Sequence, residues 1–239
     1  MRILALDTAT EACSAALLIS PGADLTQARV LVRYEELGKS HAQQILTMVE
    51  ALLAEAQVPL ATLDAIAASI GPGAFTGVRI SVAVAQGLAF GAGLPVVAVT
   101  TLETLAWPVI QGGAAGVLAC LDARMGEVYW GCFGADAAQG LAALGAPQVG
   151  PPGSVTLPEG RPYRGIGRGF AAYPTLAALP GLTLDPDSSR ALPTARDAAW
   201  LGALRFARGE GRDPADLSPL YLRDKVALTE AERRSQPAT

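Results

Sequence analysis

The sequence predicts a mixed α/β fold built from two similar halves, and three observations predict it. The first 106 residues read strand, strand, strand, helix, strand, helix, strand, helix. A meander followed by alternation describes a mixed sheet with helices on its faces. A second stretch, Val117-Leu-Ala-Cys-Leu-Asp122, echoes Ile3-Leu-Ala-Leu-Asp7, each followed by a short turn and another apolar strand. The 239 residues are 51% hydrophobic and 17% charged, core enough for one large domain or two ordinary ones.

Taken in order, Arg2–Leu6 is an apolar strand ending at Asp7-Thr8-Ala9-Thr10, and Cys13–Ile19 completes a hairpin. After the Pro21-Gly22 turn, Val30–Glu35 is a third strand. Ser40 is placed to cap a helix whose Ala42, Ile45, Met48, Val49, Leu52, Leu53 and Ala56 follow the three-to-four spacing. Leu46 widens that stripe, and Pro59 closes the segment.

Ile66–Ile70 reads as a buried strand leading into Gly71-Pro72-Gly73, where Gly73 suits the positive φ of a type II turn. The helix that follows, Val78–Gly93, is apolar on every face and is predicted to be buried nearly all round. Its small residues recur four apart, Ala83-Gly87-Gly91 and Ser81-Ala85-Ala89, which lets another backbone come close. That neighbour is either the domain's own sheet or a partner helix. The amides at the start of such a helix favour an anion or a close-packed neighbour.

Leu94–Thr100 is a fifth strand, and Thr100 or Thr101 caps the next helix. The second half is richer in loops. Gln148–Gly153 holds two prolines and two glycines, and Tyr163–Phe170 has three alternating glycines, a weak ligand signal. Thr194–Arg208 is a helix stopped by Gly209. The expected division is 1–110, 111–225 and a frayed tail, 226–239.

The net charge of −4 argues against a protein that grips nucleic acid alone, leaving only a local cluster such as Arg161, Arg164 and Arg168. Cys13, Cys120 and Cys132 lie in apolar runs at no metal-ligand spacing and read as buried thiols. No leader pattern or membrane-length apolar run stands out, so a cytoplasmic location is expected.

Two acidic hairpins facing each other across a cleft are how actin-like ATPases hold a magnesium nucleotide. Asp7, with Thr8, and Asp122 are the candidates for a vestigial nucleotide site. Asp122 reads more readily as a turn cap, while both readings stand for Asp7. His41, the one histidine, starts a helix with no nucleophile motif nearby and reads as a helix-end or interface residue. The sequence offers no self-sufficient catalytic constellation and no metal set.

Ile3–Ser14, Gly71–Arg79 with Ala85–Ala89, Leu121–Tyr129 and Pro219–Arg223 together resemble the TsaB family, formerly YeaZ. The likeness runs to about Val226 and is weakest over 134–190. It implies an actin-like (ASKHA, ribonuclease H-like) fold whose second subdomain is reduced. It also implies a scaffold subunit for forming N6-threonylcarbamoyladenosine in bacterial tRNA next to the anticodon. In that family the chain pairs with its catalytic paralogue TsaD, the ATPase TsaE joins them, and tRNA is met only through the assembled complex.

By the same resemblance, the histidine pair that holds metal in TsaD falls on Thr101 and Leu105, and leucine cannot bind metal. The second turn, Asp122-Ala-Arg-Met-Gly126, lacks TsaD's histidine and paired glycines. No cofactor of the chain's own is expected, with ATP or ADP at most at the boundary with TsaD. The expected partner face takes His41, Ile45, Leu46, Val49 and Leu53 from one helix. From the glycine-turn helix it takes Arg79, Val82, Ala85, Gln86 and Ala89. The same face would serve a homodimer when TsaD is missing. An actin-like ATPase or kinase acting alone is the competing reading, and a metallopeptidase fits the residues least.

Overall fold

The computed structural model describes residues 1–22, 24–36, 40–137 and 140–223, so the expected tail at 226–239 lies outside the described residues. Two sheets repeat one plan. In the first, β1 (Arg2–Asp7) is central, antiparallel to β2 (Ala12–Ile19) and parallel to β4 (Ala65–Ser69). β3 (Arg29–Glu36) lies outside β2, and β5 (Val96–Val99) outside β4. In the second, β6 (Gly116–Arg124) is antiparallel to β7 (Glu127–Gly134) and parallel to β10 (Tyr163–Ile166). β11 (Leu182–Leu184) adds beyond β10, and the short β8 (Ala142–Ala143) and β9 (Gln148–Gly150) pair with β7. The echo between Asp7 and Asp122 is therefore an echo of topology: both acids lie at or near the end of the first strand of the first hairpin of a sheet.

The helices show what was lost in the second half. α1 (His41–Ala56) and α2 (Phe75–Ala92) cover the outer face of the first sheet, burying Ile45, Met48, Leu52, Val82, Ala85 and Ala89 against Leu4, Leu6, Leu17 and Ile66. Their counterparts after β9 and β10 are a single 3-10 turn at Pro152–Ser154 and the four-residue α4 (Gly169–Ala172). The outer face of the second sheet is closed by Trp130, Val155, Tyr163, Phe170 and Leu176 instead.

Between the sheets lie α3 (Thr101–Gln111) and α5 (Ala195–Ala207). They join both sheets into one core containing Ile3, Ala67, Val99, Leu102, Leu105, Val117, Ala119, Ala198 and Leu201. α3 starts with a capping box: the Thr100 hydroxyl accepts the Glu103 N–H (3.2 Å) and the Glu103 carboxylate accepts the Thr100 N–H (2.9 Å). α5 lies close because its buried stripe is small. A Cβ at Gly202 would stand 2.5 Å from that of Ala67.

Three sequence expectations change. Ser40 does sit at the N-cap of α1, but at φ 76° its side chain makes no capping bond. The left-handed glycine of the turn before α2 is Gly71 (φ 98°), not Gly73. And α2 is not buried all round: Ala83, Gly87, Phe90 and Gly91 are exposed. Among the described residues it is the one helix long and apolar enough to cross a membrane, yet one side of it is packed on the first sheet.

Candidate functional site

The two hairpins and the N-terminal ends of α1 and α2 enclose a cleft of about 670 Å³. Thr10 and Glu11 line it from the first hairpin, His41 from α1, Thr76 and Ile80 from α2, and Asp122, Arg124, Tyr129 and Arg168 from the second half.

The glycine turn packs on the first hairpin, and Gly73, Ala74 and Gly77 also line the cleft. A Cβ on Gly73 would lie 2.2 Å from the Ala9 carbonyl oxygen, and one on Gly77 would lie 2.0 Å from that of Thr8. Only hydrogen fits at either place. The contact is stitched by Ala74 N–H to Ala9 O (2.7 Å), the Thr8 hydroxyl to Gly77 O (2.6 Å) and the Ser81 hydroxyl to Leu6 O (3.2 Å). The hairpin is thus a close-packed neighbour of the kind expected at the start of this helix.

Asp7 is fully buried. Its Oδ1 accepts the Ala9 N–H (2.9 Å), while Oδ2 has no hydrogen-bond partner among the described residues. Burial pushes its pKa up to about 6, opposed by the Ala9 amide and the nearby Ser69 hydroxyl. Ser69 itself is bonded to Thr101 (3.0 Å). Thr101 and Leu105, which the resemblance sets against a histidine pair, are both buried, and Leu105 is part of the core between the sheets.

Asp122 is partly exposed and occupied. Its Oδ1 accepts the Arg124 N–H (2.8 Å) and the Tyr173 hydroxyl (3.2 Å), and its Oδ2 pairs with the Arg124 guanidinium (3.0 Å). This is the turn-capping arrangement expected from the sequence. Arg124 also reaches Glu11 (3.1 Å), and Arg168 reaches Glu36 (2.7 Å) and Glu11 (3.8 Å), so ion pairs bridge the two halves across the cleft mouth.

The three cysteines are buried free thiols, with Cys13 and Cys132 raised to about 11 chiefly by burial. Among the described residues no group of three His, Cys, Asp or Glu side chains is placed to hold a metal ion. Arg161 lies before β10 and donates to Ala115 O (3.3 Å), whereas Arg168 lies after it and pairs with Glu36 (2.7 Å). The alternating glycines serve packing: a Cβ on Gly167 would meet the Cys120 carbonyl oxygen at 2.1 Å.

The expected partner residues divide. Ile45, Val49, Val82, Ala85 and Ala89 are buried in this chain's own core and present almost no surface. The Gln86 amide is spent on the C-terminal segment, donating to Pro214 O (2.9 Å) and Leu217 O (3.1 Å). Arg79 donates to the Tyr221 hydroxyl (2.7 Å) while lying 3.8 Å over the Phe75 ring. His41 lines the cleft. Leu46 is 44% exposed and Leu53 is half-buried. What α1 and α2 leave outside is a different set, with Phe90 (60% exposed), Ala83, Gly87 and Gly91 added and Ile80, Val84 and Leu88 partly covered. Exposed Phe90 was missed because an all-apolar helix gives no periodicity from which to tell its two sides apart.

Two sheets of matching strand order, joined through a shared core and carrying an acidic hairpin each, define an actin-like α/β protein. Residues 32–145 match the family model described as TsaD, tRNA N6-adenosine threonylcarbamoyltransferase. The chain is 39% identical to the tRNA threonylcarbamoyladenosine biosynthesis protein TsaB of Escherichia coli (strain K12), with 95% of this chain and 96% of that one covered. Identity to the TsaB protein of Haemophilus influenzae is 34%, with 95% of each chain covered. The solved structure of YeaZ from Pseudomonas aeruginosa superposes with a TM-score of 0.82 at 43% identity, covering 92% of this chain and 99% of that one. The chain belongs to the TsaB family.

Proposed function

We propose that the chain is the non-catalytic partner subunit of the complex that forms N6-threonylcarbamoyladenosine in tRNA next to the anticodon. In this reading it pairs with and activates TsaD, and the ATPase TsaE joins them. The observation that carries it is the outer face of α1 and α2. Leu46, Ile80, Ala83, Val84, Gly87 and Phe90 form an apolar, small-residue surface of the kind a second pair of helices covers. TsaD is described by the family model that this chain matches over 32–145, which spans both helices, so it would bring equivalent elements to the contact.

The cleft supports the same reading. Groups that an actin-like ATPase commits to a nucleotide make bonds within this chain: Asp7 Oδ1 with the Ala9 N–H, Thr8 with Gly77, and Asp122 with Arg124 and Tyr173. ATP or ADP then belongs at the boundary with TsaD, and tRNA affinity to the assembly.

The test is binding to TsaD for Gly87→Arg, with Glu159→Arg on the second half as control. Nothing stands within 4 Å of a Cβ at Gly87, so the substitution leaves the fold intact. Loss of tenfold or more in affinity is expected through clash and desolvation; affinity equal to the control's removes α2 from the interface. The alternative, an ATPase acting alone, requires metal-dependent turnover by the isolated chain that Asp7→Ala abolishes.

A further inference from the structure

We infer that residues 212–223 are an inter-lobe strap that holds the tip of the second hairpin in a strained turn, and that its release lets the hairpin relax away from the cleft. The strap is anchored on the first half. Arg212 and Val96 exchange N–H and C=O bonds (both 2.9 Å), the Gln86 amide donates to Pro214 O and Leu217 O, and Leu220 N–H donates to Ile70 O (2.7 Å). It crosses directly over the glycine turn, where a Cβ at Gly71 would lie 3.3 Å from Leu220 O. Tyr221 then stacks beside Phe75 (ring centroids 5.8 Å apart) and accepts from Arg79. The strap's last described residue reaches the other half: Arg223 donates to Ala123 O (3.2 Å), touches Met125 Sδ (3.7 Å) and pairs with Glu127.

What Arg223 grips is conformationally unusual. Arg124 (φ 62°), Met125 (φ 57°) and Gly126 (φ 79°) are three successive left-handed residues, and two of them carry side chains that disfavour that region. The ladder shifts register between Asp122 and Arg124. Met125 and Gly126 form the two-residue loop with positive φ that hairpins favour, so the strain lies at the two positions that carry side chains, Arg124 and Met125, and contacts around the turn hold it. Besides the Asp122 carboxylate, which accepts the Arg124 N–H from within the hairpin, two grips reach the turn from outside it. Arg124 to Glu11 is the weaker, because the Arg124 side chain is 72% exposed. Arg223 to Glu127 is the stronger, with side chains 18% and 35% exposed and a carbonyl contact added. The hairpin tip, which lines the cleft, is thereby tied to the N-terminal end of α2 through one short segment.

The experiment is hydrogen exchange of the whole chain, comparing wild type, Arg223→Ala, Met125→Gly and the double variant. Arg223→Ala is expected to speed exchange of amides in 123–128 about tenfold, with α3 and α5 unchanged. Adding Met125→Gly restores most of that protection, because glycine takes the left-handed turn without strain. The inference is overturned if Arg223→Ala leaves hairpin exchange within twofold of wild type or speeds the entire chain equally. It is equally overturned if the glycine gives no recovery.

Discussion

Asp7 and Asp122 make the same local bond in the two halves of the molecule: each carboxylate accepts the N–H two residues ahead, at 2.9 Å from Ala9 and 2.8 Å from Arg124. Each also lies at or near the end of the first strand of a hairpin, in sheets of matching order. Their surroundings then diverge. Asp122 is 22% exposed with a guanidinium beside it, whereas Asp7 is cut off from solvent with no counter-charge beside it among the described residues. A shared geometry has thus been kept at little cost in one half and at a substantial cost in the other.

That cost predicts a pH dependence. The folded pKa of Asp7 is about 6, against 3.8 for the ordinary carboxyl. Between those values the folded chain holds a proton that the unfolded chain has lost, so this residue's contribution falls as pH rises from about 4 to about 6. Above that window the charged, buried form costs on the order of 3 kcal/mol. Asp7→Asn keeps the acceptor for Ala9 and removes the charge. Urea unfolding should find the variant more stable than wild type at pH 7.5 and the advantage largely gone at pH 4. An equal gap at both pH values would contradict the assignment.

The glycines of α2 should behave in opposite ways. Gly77→Ala places a methyl 2.0 Å from the Thr8 carbonyl oxygen, and backbone on both sides leaves nowhere to yield. A loss of about 3 kcal/mol or more, or failure to fold, is expected. Gly87→Ala meets nothing within 4 Å on an exposed helix face and should stabilise by roughly 0.5–1 kcal/mol. Thermal melts of the two variants decide it; destabilisation by Gly87→Ala would mean that this face is already packed.

Arg205 ties the two central helices together. It donates to Ala98 O (2.7 Å) and pairs with Glu103 (2.5 Å), the residue that also completes the α3 capping box. Both side chains are mostly buried, at 19% and 13% exposure. Arg205→Ala strands Glu103 and should cost about 2–3 kcal/mol, less than a fully buried pair would. Arg205→Ala with Glu103→Gln should recover part of that loss. Additive losses in the double-mutant cycle would show that the pair is uncoupled.

Much of this architecture was legible because periodicity and punctuation agree in it. The strand–strand–strand–helix order, the Asp7–Asp122 echo and the helix at 195–207 all follow from apolar runs and their turn residues. The site was less so. Sequence marks the Gly71-Pro72-Gly73 turn, but not that Gly73 and Gly77 are held to hydrogen by hairpin carbonyls from residues 9 and 8. Nor does it show which side of α2 meets the sheet, since alanine and valine occupy both. For that reason Ala85, apt by spacing for a partner, lies in the core, while Gly87 two residues on lies outside.

The last prediction concerns the isolated protein and rests on the docking reading. Leu46 near the start of α1 and Phe90 near the end of α2 are among the most exposed large apolar side chains, and the partly covered Ile80, Val84 and Leu88 extend the apolar surface along α2. Monomers rarely leave such a surface in water. With TsaD missing, a second copy is the nearest complementary surface, and a two-fold contact would place each α2 against its equivalent. The isolated chain should therefore self-associate with concentration, and added TsaD should dissolve that species as it takes the same face. Phe90→Glu puts two charges into the seam of a symmetric pair, one from each copy. It should weaken self-association by at least about tenfold, since neither charge has a partner there. The fold should be untouched, because Phe90 is 60% exposed. Sedimentation velocity across a dilution series measures this, with Glu159→Arg as the control. If Phe90→Glu and the control share one association constant, this face is not the seam, and the docking proposal loses its main support.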